Sequence, residues 1–401
     1  MKPVFRGSCE KNLPETIGHW KHLHMHPEMA TKEETTSRYI SEALGRMGVP
    51  HSVGVGGYGV VGLIEGGSPG PVIALRADMD ALGIEEKTGL PFRSVNEGVM
   101  HACGHDAHCA ILLGAARILY DMRQGIKGSI KLVFQPAEEY SPIGGAPKMI
   151  EDGVLENPTV DAMLGLHVWP ILETGTIGVQ PGPVSAASDR LRITVKGKSG
   201  HASMPHTGVD AILAASATVV ALQQIVARNV NPRDTAVITL GTVKGGTNYN
   251  IIAEEVFLDG TVRTFDDRVT SMMPAAIKRV ADNTCKAYAA EAVVDYRPGY
   301  PTTLNDPRVV SVAQKAAVEL LGAKGLLTGL PVPAGGEDFA FFSRRVPSAF
   351  AWIGCRPKGV SEADFPALHN GRFVPDEAAI PIGVEYTVLA ALGLLDELGG
   401  K

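Results

Sequence analysis

Alternation between short apolar runs and helical patterns limits the possible folds of this chain more than any other feature. The apolar runs typical of buried strands are 60–66, 71–77, 129–136, 160–169 and 348–354. The amphipathic or apolar helical patterns around them are 14–26, 33–48, 108–122, 144–155, 306–322 and 381–399. Strands that alternate with helices are typical of βαβ units. The sequence therefore predicts an α/β fold with a mainly parallel sheet flanked by helices.

A different order of elements interrupts this alternation. Its elements are strand 189–198, helix 209–227, strands 235–246 and 254–264, helix 269–289 and strand 290–296. The order β-α-β-β-α-β is that of a ferredoxin-like α+β domain. We therefore divide the chain into 1–187, an inserted domain of 188–299, and 300–401. The first and last parts are expected to form one domain, since insertions are tolerated where chain ends meet.

Composition narrows the class of protein. The chain has 401 residues, is 45% hydrophobic and carries a formal net charge of −6, which argues against a nucleic-acid binder. The apolar segments AILLGAARIL and TVLAALGLL are shorter than a bilayer span, and the N-terminal stretch lacks the apolar core of a signal peptide. We expect no membrane partner and a cytoplasmic location. The five scattered cysteines predict reduced thiols rather than a disulfide framework.

The stretch MHACGHDAHCA, 100–110, contains three histidines and two cysteines in eleven residues. Cys103 and His105 lie in a glycine-containing loop before a predicted helix, where a thiolate and an imidazole could bind a metal ion. A buried cysteine and a capping histidine are the alternative. No C-x-x-C spacing supports a redox dithiol. Cys109 is expected in the core, while Asp106 and His108 would supply helix-start polarity or support for ligands.

Other polar residues follow or end predicted strands. They are Asp78, Asp80, Glu138, Glu139 and His167. Open α/β sheets bind ligands beyond the carboxyl ends of their strands, so these residues are expected to meet at one site. Of two adjacent carboxylates, one can bind a cation while the other takes a proton from water. An exposed acidic turn and a satisfied core histidine are the alternative readings of these residues.

Eight ordered motifs carry a resemblance to a known family. They are MHACGHDAH, VFQPAEE, LGLHVWP, GKSGHASMPH, GGTNYNII, DGTVRTF, GGEDFAFF and ALHNGRF. The chain resembles the metal-dependent aminoacylase/carboxypeptidase family from about residue 14 to 397. It is most similar to the amidohydrolase branch, which includes hippurate hydrolases, indoleacetyl-amino-acid hydrolases and N-acetyl-diaminopimelate deacetylases.

This resemblance implies a site for two divalent metal ions, with Zn²⁺, Mn²⁺, Co²⁺ and Ni²⁺ all compatible with the donors. The implied ligands are Cys103, His105, Glu139, His167 and His369. The resemblance makes Glu138 the general base that later protonates the leaving amine. Glu337 and Asp338 follow a glycine pair and are expected near the site, with no assigned role.

The resemblance also gives the inserted domain a role. It implies that this domain dimerises and covers the site, so a homodimer or higher homo-oligomer is expected. His201 would polarise the scissile carbonyl or stabilise its oxyanion, within one chain or across the dimer. Asn250 and Arg263 match substrate-binding positions, and Arg263 suits a free α-carboxylate. A surface-loop histidine and an exposed strand arginine are the alternatives.

The implied activity is hydrolysis of the amide bond of a small-molecule N-acyl-L-amino acid, as in hippurate hydrolases. A carboxypeptidase or dipeptidase on the same scaffold is the alternative within the enzymes, and a non-catalytic metal-binding protein is the alternative outside them. The chain departs from the usual family motifs at Gly83, Ala253 and Asn370-Gly371. The last pair adjoins a proposed ligand, which leaves the preferred acyl group open.

A run of four histidines near the start of the chain stands apart from these motifs. It comprises His19, His22, His24 and His26. Because they lie on an amphipathic helical pattern, we expect them at the surface.

Overall fold

Two sheets and nine helices are the main elements of the computed structural model, which describes residues 2–400 and their side chains from residue 8 on. The helices are α1 (Lys2–Met25), α2 (Glu34–Met47), α3 (His105–Asp121), α4 (Ala146–Glu151), α5 (Ala211–Arg228), α6 (Asp267–Ala287), α7 (Pro307–Leu321), α8 (Phe339–Ser343) and α9 (Ala379–Gly399). The strands are β1 (His51–Val55), β2 (Gly59–Glu65), β3 (Ser68–Asp78), β4 (Lys127–Gln135), β5 (Ala162–Glu173), β6 (Ile177–Gly178), β7 (Gly182–Pro183), β8 (Ala187–Lys196), β9 (Gly200–His201), β10 (Ala236–Gly245), β11 (Ile251–Ile252), β12 (Glu255–Thr264), β13 (Glu291–Tyr300), β14 (Leu304–Asn305), β15 (Leu326–Leu327) and β16 (Ser348–Arg356).

The larger sheet has eight strands in the order β1-β2-β4-β3-β5-β16-β6-β15. Its central strands β4, β3, β5 and β16 run parallel, while β1, β2 and the contact of β16 with β6 are antiparallel. Strand β5 is buried along nearly its whole length, as expected for a strand covered by helices on both faces. The predicted mainly parallel α/β fold is confirmed.

The chain divides into two compact units. The first unit comprises the chain up to Val184, Thr303–Pro331 and the segment from Asp338 on. The second unit comprises Ser185–Thr302 and Val332–Glu337. Its four-stranded antiparallel sheet has the order β10-β12-β8-β13. With α5 and α6 between the strands in sequence, this is the predicted ferredoxin-like arrangement.

Helices α5 and α9 are long and apolar enough to cross a membrane by length and composition alone. The full helix α9 is thus longer than the apolar segment TVLAALGLL considered in the sequence. Most of the apolar part of α9 is buried in the core of the first unit, and core helices of globular proteins are often equally long and apolar.

Parallel strands bring the first unit's polar segments to one edge. Strand β3 ends at Asp78 and the neighbouring β4 ends at Gln135, just before the segment 136–139. On the other side of β3, strand β5 carries His167 towards the same edge. The helix α3 begins at His105. The carboxyl ends of adjacent strands therefore meet the start of a helix, as the sequence predicts.

Candidate metal centre

Six predicted site residues of the first unit converge at this edge of the sheet. Their donor atoms form overlapping groups of three, and within each group all atoms lie within 4.8 Å of one another. The groups are Cys103–His105–His167, Cys103–Glu139–His369 and His105–Glu138–Glu139. Cys103 belongs to two of them, so its sulfur lies between an imidazole pair and a carboxylate–imidazole pair.

The loop that carries Cys103 and His105 depends on the glycine between them. Gly104 has φ +88°, which favours glycine, and a Cβ at this position would overlap the Val168 side chain. The backbone can therefore turn sharply before α3. This turn presents the side chains on either side of Gly104 to the same point.

The His105 imidazole is held by one nitrogen and leaves the other available. Its Nδ1–H donates to the Asp80 carbonyl oxygen at 2.9 Å. Its Nε2 is buried and has no hydrogen-bond partner among the described residues. A neutral imidazole that donates from Nδ1 has a lone pair on Nε2, which is the form that binds metal ions.

His167 has the same arrangement. Its Nδ1 lies 2.6 Å from the Val168 carbonyl oxygen, and its Nε2 lies 3.3 Å from the Cys103 sulfur. Burial, followed by the neighbouring His108 and His105, lowers the pKa of His167 well below its usual range. The ring is therefore neutral at physiological pH and its Nε2 lone pair faces the thiol.

His108 is not available as a ligand, although Asp78, His105 and His108 also form a close group. The Val168 backbone N–H donates to Nε2 of His108 at 2.9 Å. The other nitrogen, Nδ1, therefore carries the proton and donates to Asp78 Oδ1 at 2.5 Å. Both ring nitrogens are occupied, so His108 orients Asp78 instead. The Cys109 thiol donates to the Asp78 carbonyl from the buried face of α3.

The segment after β4 places two glutamates at the site. Ala137 has φ +59°, so the chain turns before Glu138 and Glu139. The Glu139 backbone N–H donates to Asp80 Oδ2 at 2.9 Å. Glu138 is buried, and its Oε1 lies 3.4 Å from the Asp338 backbone nitrogen. Asp80 thus supports both His105 and the backbone of Glu139.

His369 reaches the site from a loop and is the most exposed of the group, with 52% of its side chain accessible. Its φ is +64°, and its backbone N–H donates to the Ala102 carbonyl at 2.8 Å. Its Nε2 lies 3.0 Å from Glu139 Oε1. The unusual Gly371 nearby has a physical reason, because a Cβ there would overlap the Glu85 carbonyl oxygen.

The electrostatics of the site favour a bound cation. Burial and the charges of Glu139, Glu138 and Asp78 raise the pKa of the Cys103 thiol well above its usual value. Burial lowers the pKa of His105, but Asp78, Asp80 and Glu139 outweigh burial and raise it to about 10, so a metal ion that binds Nε2 takes the place of a proton. A cluster this negative, with sulfur, nitrogen and oxygen donors and an orphaned buried Nε2, fits divalent metal ions.

A buried ionic network lies behind these residues. Arg76 donates to Asp78 Oδ2 at 2.7 Å and to Asp338 Oδ1 at 2.9 Å. Asp338 also accepts from the Gln135 amide and from the backbone N–H groups of Gly145 and Ala146. It thereby fixes the loop that follows the two glutamates. Arg76 and Asp338 are 262 positions apart, so no local sequence pattern predicts that they form an ion pair.

The expectation that the N-terminal histidines lie at the surface is wrong for two of them. His19 and His24 are buried. His24 Nδ1 lies 2.7 Å from Asp106 Oδ2 and its Nε2 lies 3.3 Å from Glu86 Oε1. The helical period predicts which residues of α1 share a face. It does not show that Asp106 and Glu86 lie where they can pair with His24.

The remaining predicted site residues lie in the second unit. His201 in β9 faces Ile251 of β11, and the Ala202 N–H donates to the Asn250 carbonyl at 3.0 Å. The Ser203 N–H donates to His201 Nδ1 at 3.1 Å, so the neutral ring carries its proton on Nε2. Arg263 lies half-buried in β12, and its guanidinium has no hydrogen-bond partner among the described residues.

Comparison with known proteins identifies relatives over nearly the whole chain. Residues 74–392 match the model of peptidase family M20/M25/M40. The N-acetyl-L-cysteine deacetylase of Bacillus subtilis is 41% identical, with 98% of this chain and 91% of that protein covered. Thermostable carboxypeptidase 1 of Saccharolobus solfataricus is 37% identical, with 95% and 97% covered.

A solved structure shows the same fold. The crystal structure of the Bacillus subtilis YxeP protein, described as a dinuclear metal-binding peptidase of the M20 family, superimposes with a TM-score of 0.83. It is 35% identical in sequence, and the match covers 96% of this chain and 99% of that one. The likeness therefore extends across both units.

Proposed function

This chain belongs to peptidase family M20/M25/M40 and is a metal-dependent amide hydrolase, and we propose that its substrates are N-acyl-L-amino acids. The products would be a carboxylic acid and a free amino acid. The observation that carries the proposal is the position of Glu138. Its carboxylate lies beside His105 and Glu139. The two donor groups that contain Cys103 each have three donor atoms without Glu138, so its carboxylate is not needed as a metal ligand.

We propose that these two groups hold the two divalent ions of the family. Cys103, His105 and His167 would bind one ion, and Cys103, Glu139 and His369 would bind the other. When bound, such ions polarise an amide carbonyl and lower the pKa of an attacking water. Glu138 takes the proton of that water and passes it to the nitrogen of the leaving amine.

Two residues of the second unit would act on the substrate itself. His201 presents a protonated Nε2, which can donate a hydrogen bond to the negative charge that develops on the carbonyl oxygen. Arg263, a half-buried arginine with the Asp189 carboxylate as its charged neighbour, would bind the α-carboxylate through two parallel hydrogen bonds. Asn250 would bind substrate beside His201.

We also propose a homodimer formed through the second unit. Helix α5 exposes Val220 and Leu213 by 73% and 54%, and β10 lies at the edge of the four-stranded sheet. Exposed apolar side chains beside an unpaired edge are typical of a surface that pairs with a second copy. Val220→Asp is expected to give a monomer in light-scattering chromatography, and an unchanged mass would contradict this interface.

The proposed function is tested first by replacing the base. Glu138→Gln is expected to lower kcat by about 10³-fold while both metal ions and KM are retained, because an amide cannot accept the proton. The control is Glu151→Gln, which changes an exposed carboxylate of the neighbouring α4. Wild-type turnover in Glu138→Gln would contradict the assignment.

The second test is a substrate panel with acetyl-, benzoyl- and indoleacetyl-amino acids beside dipeptides and longer peptides. Apo-enzyme is reloaded in turn with Zn²⁺, Mn²⁺, Co²⁺ and Ni²⁺. The rings of Trp169 and Trp352 lie 6.2 and 6.0 Å from that of His167, so fluorescence quenching by Ni²⁺ or Co²⁺ reports occupancy. Preference for peptides over every N-acyl amino acid would favour a carboxypeptidase, the activity that the Saccharolobus relative's name gives.

A further inference from the structure

Glu33, a residue outside every motif described above, is buried beside the metal centre. It lies just before α2, and its side chain is fully inaccessible. Its Oε1 accepts two backbone hydrogen bonds, from Thr31 at 2.9 Å and from Ala137 at 2.8 Å. Its Oε2 is buried with no partner among the described residues. Burying a carboxylate with one oxygen unpartnered costs free energy, so its position calls for an explanation.

Both residues that donate to Glu33 have left-handed backbone conformations. Thr31 has φ +67° and Ala137 has φ +59°, although neither is a glycine. Residues with a Cβ adopt this region only when the surroundings hold them there. The contact from Glu33 supplies that restraint for Ala137, which directly precedes Glu138.

A second carboxylate restrains the other side of the same segment. Asp80 Oδ2 accepts the backbone N–H of Glu139 at 2.9 Å. The chain around Glu33 is itself tied to this region, since the Ala81 N–H donates to the Glu28 carbonyl at 2.8 Å. The backbone on both sides of Glu138 is therefore held by buried carboxylates from two different parts of the chain.

We propose that Glu33 is a positioning residue for the Glu138 base. By accepting the Ala137 N–H, it holds the left-handed turn and so fixes the direction in which Glu138 and Glu139 leave β4. Glu33 touches neither substrate nor metal in this scheme and acts only through the backbone. The inference rests on the proposed function, because its effect is measured on turnover.

The test compares two substitutions at position 33. Glu33→Ala removes the acceptor and is expected to lower kcat by about tenfold or more, with KM changed less than about threefold, because the base is misplaced. Glu33→Gln keeps an oxygen that can accept both N–H groups and is expected to retain kcat within about threefold. Metal content and melting temperature are measured for each variant. A wild-type kcat in Glu33→Ala overturns the inference.

A second-site variant separates positioning from general stability. Ala137→Gly accepts the left-handed conformation without help, so it is expected to restore part of the kcat that Glu33→Ala loses. The matched control is Glu28→Ala, which removes the carboxylate that accepts the Thr35 and Thr36 N–H groups at the start of α2. It is expected to lower the melting temperature and keep kcat. No recovery in the double variant, or an equal kcat loss in Glu28→Ala, overturns the inference.

If Glu33→Ala does not fold, Glu33→Asp decides, since it keeps the charge but withdraws the acceptor by one methylene. A kcat loss of about tenfold supports positioning, and wild-type kcat overturns it. The proposed function fails separately, if the wild-type enzyme hydrolyses no N-acyl amino acid or Glu138→Gln stays active. A third outcome would refute only the role of Glu33. In that case the wild type is active and Glu138→Gln is inactive, but Glu33→Ala is fully active.

Discussion

The metal centre has a buried side and an exposed side, and they are held in different ways. On the buried side, His105 and His167 each have an Nδ1 directed at a backbone carbonyl. On the exposed side, the His369 ring has Glu139 as its polar contact among the described residues. A ring fixed through the backbone keeps its orientation without metal, whereas a ring fixed only by a co-ligand depends on it. The ligands of the buried side are therefore expected to be in place before metal binds, whereas the His369 ring on the exposed side can change its orientation.

The largest expected effect comes from removing a ligand on the buried side. His105→Ala is expected to lose most bound metal and to lower turnover on the order of 10⁴-fold. The substitution removes a buried donor atom, and no neighbouring side chain can replace it. His369→Ala is expected to keep one ion per chain and to lose about 10²-fold. Metal analysis after gel filtration, together with kcat, measures both. Equal metal loss in the two variants would remove the distinction between the sides.

A smaller effect concerns the support behind the buried side. Burial lowers the pKa of His24, but hydrogen bonds and charges from Asp106 and Glu86 outweigh burial and raise it to about 9. Since an unfolded histidine titrates near 6.5, this cation stabilises the fold fully below about pH 6.5 and loses its effect as pH rises through about 9. The contribution is at most about 3 kcal/mol.

Urea unfolding of the wild type and His24→Gln tests this contribution. The difference in unfolding free energy is expected to be largest near pH 6 and to shrink by pH 9.5. Asp106 on α3 and Glu86 in the segment between β3 and α3 are the carboxylates that face the ring. A difference that does not change with pH would mean that His24 stabilises the fold by packing alone, against the rings of Trp20 and Phe92.

The smallest effect sharpens the comparison directly. Free imidazole is expected to raise the activity of His369→Ala about tenfold. The wild-type ring is half exposed, so a small ligand can take its place. His167→Ala is the matched control, and no recovery is expected there because the ring is buried. Recovery in both variants would show that the buried side opens readily to solvent.

The sequence predicts the fold more completely than it predicts the residues and backbone turns that hold the proposed metal ligands in place. The strand and helix patterns place Glu138, Glu139 and His167 near one sheet edge, because the ends of parallel strands meet there. The left-handed backbone of Ala137 and His369 has no sequence signal, since neither is a glycine. The sequence pattern does not predict strand β1, because most of its residues are exposed and it has no apolar run.

Supporting residues are harder to predict than ligands because their partners are distant. Glu33 contacts Ala137 across 104 positions, and Arg76 contacts Asp338 across 262. Each depends on how separate elements pack, and no local spacing encodes that. His108 shows the same limit in reverse, since its spacing suits a ligand but the Val168 N–H occupies its Nε2. Local chemistry can nominate donors, but packing decides which nitrogen stays free.

The place of β16 in the larger sheet has a consequence for biosynthesis. This strand lies between β5 and β6, yet it follows the whole of Ser185–Thr302 in the chain and is made after it. The ribosome therefore releases all of Ser185–Thr302 while the first unit's sheet still lacks a central strand. Since domains fold as units during synthesis, the insertion can complete its own core first. Until β16 arrives, β5 presents an unpaired edge, which makes that interval the one in which a chaperone would matter most.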